Sequence, residues 1–199
     1  MIILGIDPGL ATMGFGVVKK DERGGFSALD YGVVTTPKEE TLPVRLSILE
    51  RGVNAVLEKY RPDEIAFEEL FFTKNITTGI AVAQARGVTL LTCVKKCPAL
   101  YEYTPMQIKQ ALTGYGKAEK KQMQMMVKAI LGLDEVPKPD DTADALAAAI
   151  CHGHSAQAAA RIRQYGQGSV KNLAKIREAQ KTKNRWEQLI EEYEKGEKK

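Results

Sequence analysis

The chain has no apolar run near the roughly 20 residues that a membrane-spanning helix requires. Its opening stretch, Met1 to Ile6, has no basic segment before it and is cut short by Asp7, so it does not read as a signal peptide. Cysteine is scarce. Cys93, Cys97 and Cys151 cannot all pair, and they lack the doubled C-x-x-C spacing of a structural zinc site. They read as reduced thiols of a soluble, cytoplasmic protein, and the small group Cys151, His152 and His154 is expected to serve packing and surface rather than metal. Excess charge of one sign is also missing from most of the chain. The net +4 comes from residues 155 to 199, with 11 Lys and Arg against 6 Asp and Glu, leaving 18 against 19 for residues 1 to 154. Any affinity for phosphate in that body must therefore come from a local basic patch. No internal repeat is present.

What remains is 199 residues with 44% hydrophobic content, enough for one sizeable core. Residues 2–7, a run from about Gly14, and Phe26 to Thr36 read as three strands joined by short turns. Val44, Leu46, Leu49, Val53 and Leu57 have helical spacing from Pro43 to Tyr60. Glu64 to Glu68 reads as a strand after a helical crossover, hence parallel to an earlier one. A long helix over about Thr77 to Lys96, a strand at Leu100 to Thr104, a helix opened by Pro105, another over Lys117 to Leu131, and a last one from Asp141 to about Ala160 complete a mixed α/β sheet flanked by helices. The predicted division is a domain of residues 1–160 and a charged extension, 161–199. Trp186, Leu189, Ile190 and Tyr193 lie at rough helical spacing in that extension, which is either an amphipathic helix or a disordered tail.

Four carboxylates stand where solvating charge is not expected. Asp7 ends an apolar strand, at the carboxyl edge where open α/β sheets place their active crevice; an ordinary turn Asp before Pro8-Gly9 is the plainer alternative. Glu68 and Glu69 end the parallel strand, and alternation lets only one of them share a face with Asp7. Asp141 and Asp144 lie about one turn apart on a helix. Asp141 alone could be a cap, but Asp144 leads into Ala145-Leu146-Ala147-Ala148-Ala149-Ile150, a run with no polar face. Burying a carboxylate there is costly unless a cation or hydrogen bonds compensate it. Converging carboxylates raise one another's pKa, which divalent cations relieve. Oxygen ligands select Mg²⁺ or Mn²⁺. Two such ions about 4 Å apart suit in-line phosphoryl displacement.

Ile3-Leu4-Gly5-Ile6-Asp7-Pro8-Gly9, Ala66-Phe67-Glu68-Glu69-Leu70-Phe71, Ala83-Gln84-Ala85-Arg86-Gly87-Val88, Ala118-Glu119-Lys120 and Asp141-Thr142-Ala143-Asp144-Ala145-Leu146 together resemble the RuvC family of bacterial Holliday junction resolvases, over residues 2 to about 155. The resemblance implies a ribonuclease H-like fold with a five-stranded mixed sheet, and catalytic, metal-holding acids at Asp7, Glu68, Asp141 and Asp144, choosing Glu68 over Glu69. It implies two Mg²⁺ ions per site with Mn²⁺ as substitute, and paired symmetric nicks in four-way junction DNA during recombination and repair. It further implies a base-stacking aromatic at Phe71, DNA-contacting lysines at Lys109 and Lys120, and RuvA and RuvB branch-migration proteins as partners. Residues beyond the family's usual end are not covered, and Phe72 beside Phe71 leaves open which ring stacks.

The residues themselves are compatible with those contacts. Lys109, Lys117, Lys120 and Lys121 can position phosphates, and Phe71 and Phe72 near Lys74 and Asn75 suit stacking on unpaired bases; a solvated helix face and a core ring are the plainer readings. Paired nicks related by the junction's dyad call for a twofold homodimer. Its candidate interface is the long helix, through Ala81, Ala83, Ala85 and Val88. Two rivals remain. One is a junction binder without catalysis, which would have no reason to keep four acids. The other is the sugar-kinase, actin and Hsp70 group, which also opens with a strand and Gly-Ile-Asp but needs a second, related domain that 199 residues do not supply.

Overall fold

The computed structural model describes residues 1–69, 76–97 and 99–165, with backbone alone at 76–78 and 156–165. Two units are distinguished, Met1–Gln157 and Ala158–Lys199. The first holds the sheet. Strands β1 (Ile2–Asp7), β2 (Thr12–Lys20) and β3 (Phe26–Thr35) form an antiparallel meander. Helix α1 (Leu42–Tyr60) then crosses over to β4 (Glu64–Glu68), and α2 (Ile76–Lys96) to β5 (Leu100–Tyr103). β4 lies parallel to β1, and β5 parallel to β4, giving the order β3-β2-β1-β4-β5. Helices α3 (Pro105–Thr113), α4 (Lys120–Leu131) and α5 (Asp140–Tyr165) follow.

Strand alternation divides the core in two. Leu4, Ile6, Ile65 and Phe67 point to one face, where Leu49, Val53 and Leu57 of α1 and Ala85 and Cys93 of α2 cover them. Ile3 and Ala66 point to the other, under Ile108 of α3, Val127 of α4 and the run Leu146–Cys151 of α5. Asp7 continues the alternation of Ile3 and Gly5, and Glu68 continues that of Glu64 and Ala66. Both acids therefore belong to the α5 face, and Glu69 to the opposite one.

Helix α5 lies unusually close to the sheet because glycines face it. A Cβ on Gly5 would fall 1.9 Å from the Ala145 carbonyl oxygen, and one on Gly14 2.0 Å from that of Asp141. Only a residue without a side chain permits this approach. Gly14 pairs with Asp7 across β1 and β2, so the contact that seats the first turn of α5 also brings Asp141 to the end of β1.

Three expectations change. The helix placed over Lys117–Leu131 begins at Lys120. A turn bonded from Ala118 N–H to the Tyr115 carbonyl buries Ala118 first, and Gln122 Oε1 then accepts from the Glu119 N–H at 2.9 Å, capping the helix start. The last helix runs on to Tyr165 rather than stopping near Ala160. On α2, Ala85 is fully buried under the sheet and cannot serve a surface contact, while Ala81, Ala83 and Val88 are half-buried. The exposed stripe is Ile80, Gln84, Gly87, Leu91 and Val94, one helical face away.

Candidate active site

Three elements deliver the acids. β1 and β4 are adjacent and parallel, so their carboxyl ends put Asp7 and Glu68 side by side. The first turn of α5 adds Asp141 and Asp144. Asp7 and Asp141 lie close enough for their carboxylates to act on each other. Burial, and then the charges of Asp144 and Asp141, push the Asp7 carboxyl up from 3.8 to about 7. Burial, followed by Asp7 and Asp144, pushes Glu68 up from 4.5 to about 8. Burial also raises Asp144, against the opposing pull of Lys120. The four expected acids thus interact as one group.

Lysine supplies the local countercharge. Lys120 Nζ lies 3.1 Å from Asp144 Oδ2 and 3.1 Å from Asp140 Oδ2. Although burial acts to lower its pKa, the hydrogen bond to Asp144 and that carboxylate's charge hold it above the ordinary lysine value. The charge of Lys109 also bears on Glu68, lowering its pKa. Lys117 and Lys121 are exposed beyond the acids. Lys117 lines a groove of about 590 Å³ with Tyr103, Met106, Gln107 and Tyr115, and Lys121 lines a neighbouring one with Met125 and Met126. The expected contacts at Phe71, Phe72 and Lys74 lie outside the described residues.

Asp140 is the residue that sequence reasoning passed over. It receives Gln124 Nε2 at 2.9 Å while engaging Lys120, so it holds the lysine from the solvent side. Its signal was the doubled Asp140-Asp141 in a helix's first turn, where only one carboxylate can aim inward.

The donor set fits a hard divalent ion: every group is a carboxylate oxygen, and burial first, then mutual repulsion, raises the pKa values of Asp7 and Glu68. Among the described residues no three such side chains enclose an ion as they stand; Lys120 provides the cation nearest Asp144. Asp7 and Glu68 would give up protons to serve as oxygen ligands to such an ion.

A sheet ordered β3-β2-β1-β4-β5, with carboxylates where β1, β4 and a crossing helix meet, defines a ribonuclease H-like nuclease. A family model described as crossover junction endodeoxyribonuclease RuvC matches residues 3–152. The protein of that name from Clostridioides difficile (strain 630) is 53% identical over 155 residues, covering 78% of this chain and 91% of the relative. A structure of Thermus thermophilus RuvC superposes with a TM-score of 0.74 at 38% identity, covering 80% of this chain and 97% of that one. T. thermophilus RuvC in complex with a Holliday junction substrate gives 0.72 at 35%, covering 79% and 96%. The chain belongs to the RuvC family of metal-dependent crossover junction endodeoxyribonucleases.

Proposed function

We propose that this chain resolves four-way DNA junctions by hydrolysing one phosphodiester in each of two symmetry-related strands. The observation that carries the reading is the convergence of Asp7, Glu68, Asp141 and Asp144 from three elements onto one face of the sheet, in a RuvC-family chain. Asp7, Glu68, Asp141 and Asp144 would together hold the divalent metal. Two Mg²⁺ ions, or Mn²⁺ in their place, would supply water activation and stabilisation of the leaving 3′ oxygen. Lys120 and Lys109 hold positive charge beside the acids, where a scissile phosphate must approach. Lys117 and Lys121 extend that charge along the DNA path, and Lys74 and the rings of Phe71 and Phe72 serve the junction's unpaired bases. Residues 1–160 form the nuclease domain in this reading, and 161–199 a charged extension to it.

Two nicks require two sites, and each chain has one acid group, so the working unit is a twofold homodimer. The exposed stripe Ile80, Gln84, Gly87, Leu91 and Val94 repeats at steps of four and three, the spacing of a helix-packing seam. Nothing lies within 4 Å of a Cβ added to Gly87, so a second copy of α2 can approach closely there. Among the described residues no helix is long and apolar enough to cross a membrane. The reading places the protein in the cytoplasm, with RuvA and RuvB as partners on DNA.

The test is cleavage of a synthetic four-way junction with and without Mg²⁺. Metal-dependent symmetric nicks support the reading, and bound but intact strands overturn it. Sedimentation tests the dimer: a species of the 21.9 kDa chain mass that still makes both cuts in one binding event contradicts it.

A further inference from the structure

A buried polar cluster lies at the far end of α5 from the acids. His152 is 1% exposed. Its Nε2 lies 2.5 Å from Glu64 Oε2 and its Nδ1 2.7 Å from the Tyr103 hydroxyl. The Tyr101 ring packs over the imidazole with centroids 4.3 Å apart. A carboxylate only accepts, so Nε2 carries the proton given to Glu64. None of these groups touches the carboxylates at the opposite end.

The cluster's position gives it a use. Glu64 and Glu68 are the first and last residues of β4, about 13 Å apart at the strand rise of about 3.3 Å per residue. His152 follows Asp144 by eight residues, about 12 Å at the helical rise of 1.5 Å. Strand and helix run antiparallel: His152 and Glu64 bond them at one end, and at the other the carboxylates of Asp144 and Glu68 face each other with like charge. Between those ends α5 meets the sheet through Ala145 and Ala149 against Gly5, and through Leu146 against Gly16. The alanine contacts give close packing but shallow ridges, which by themselves resist sliding along the helix axis weakly. The bonds of His152 to Glu64 and Tyr103, and the Lys20 ammonium donating to the Gly153 carbonyl, pin this end of α5 to strands of the sheet.

We propose that the His152–Glu64 bond, seconded by Tyr103, is a register clamp: it fixes how far α5 extends past β4 and thereby sets the spacing of Asp144 and Asp141 against Glu68 and Asp7. His152 and Glu64 are positioning residues for the reaction proposed above, on which this inference rests. A displacement of about 1 Å at reacting groups, caused from a distance, costs on the order of 100-fold in rate. Losing partners that orient a metal's ligands costs about 10- to 100-fold in affinity or activity.

The test measures Mn²⁺ affinity by electron paramagnetic resonance on the DNA-free protein, junction affinity, and the cleavage rate at saturating junction, each well below the variant's own Tm. Glu64→Ala removes the clamp, while Glu64→Gln keeps an oxygen acceptor for His152. The clamp requires Glu64→Ala to bind Mn²⁺ about tenfold or more weakly and to cut about 10- to 100-fold slower, with junction affinity unchanged and Glu64→Gln restoring both properties. Should Glu64→Ala fail to fold, Tyr103→Phe carries the same test with a smaller loss, about threefold, as suits one hydrogen bond. A variant that loses Tm but keeps wild-type Mn²⁺ affinity and rate overturns the clamp, as does a Glu64→Gln as impaired as Glu64→Ala. Wild-type protein that neither binds Mn²⁺ nor cuts would instead remove the functional reading.

Discussion

The two faces of the sheet are built on opposite principles. On the face of α1 and α2, large side chains such as Phe67, Leu49 and Ile65 fill the space between layers. On the face of α5, large side chains are present too, but at Gly5 and Gly14 the helix backbone nearly touches the strands. The first arrangement is a cushion that stabilises by buried area. The second is a seat whose purpose is distance, because carboxylates from a helix and from two strands interact only if that helix lies close. In the proposed reading, chemistry is confined to the thin side.

The comparison breaks most completely at Gly5. Gly5→Val drives carbon into helix backbone, which unlike a flexible side chain cannot give way. Overpacking ordinarily costs about 1 to 3 kcal/mol, and this case should exceed that and remove both folded yield and cutting, as circular dichroism and a junction assay would read. Next come the acids. Asp7→Asn, Glu68→Gln, Asp141→Asn and Asp144→Asn should each abolish cutting with junction binding intact or tighter, since the charge serves cations and repels phosphate. Asp7→Asn and Glu68→Gln keep their melting temperature or gain a little, because each relieves burial of a crowded carboxylate, whereas Asp144→Asn also loses its pair with Lys120.

On the cushioned face the outcome reverses. Leu49→Ala should cost about 2 to 5 kcal/mol in a denaturant titration, while cutting per folded molecule stays near wild type. A smaller effect tests the crowding of the acids directly. Asp7 and Glu68 have folded pKa values of about 7 and about 8, above their ordinary 3.8 and 4.5, so the folded state holds those protons more tightly. Their contribution is full below about pH 4 and is lost as pH rises through 7 to 8. Without divalent metal the melting temperature should fall across that window, more shallowly in Asp7→Asn, and Mg²⁺ should restore more stability at pH 8 than at pH 6.

Much of this contrast was legible in the chain. Alternating apolar residues announced β1 and β4, and the unbroken run after Asp144 announced a helix buried all round. Alternation alone left Glu68 and Glu69 unresolved, because the face that α5 covers is a tertiary fact. The closeness of α5 was not legible either: Gly5 and Gly14 read as ordinary small residues until the opposing carbonyls are known. The α2 surface was misjudged for the same reason, since small residues such as Ala85 serve tight packing inside as readily as outside. His152 likewise offered no sign that its partners would be Glu64, 88 positions away, and Tyr103.

The central claim, that the thin face alone carries the reaction, is tested by one cleavage experiment on a synthetic four-way junction in Mg²⁺. Wild type, Glu68→Gln and Glu69→Gln are compared at equal folded concentration. The account expects paired symmetric nicks from wild type, nearly the same rate from Glu69→Gln, and bound but uncut junction with Glu68→Gln. Cutting that survives Glu68→Gln and disappears in Glu69→Gln would contradict it.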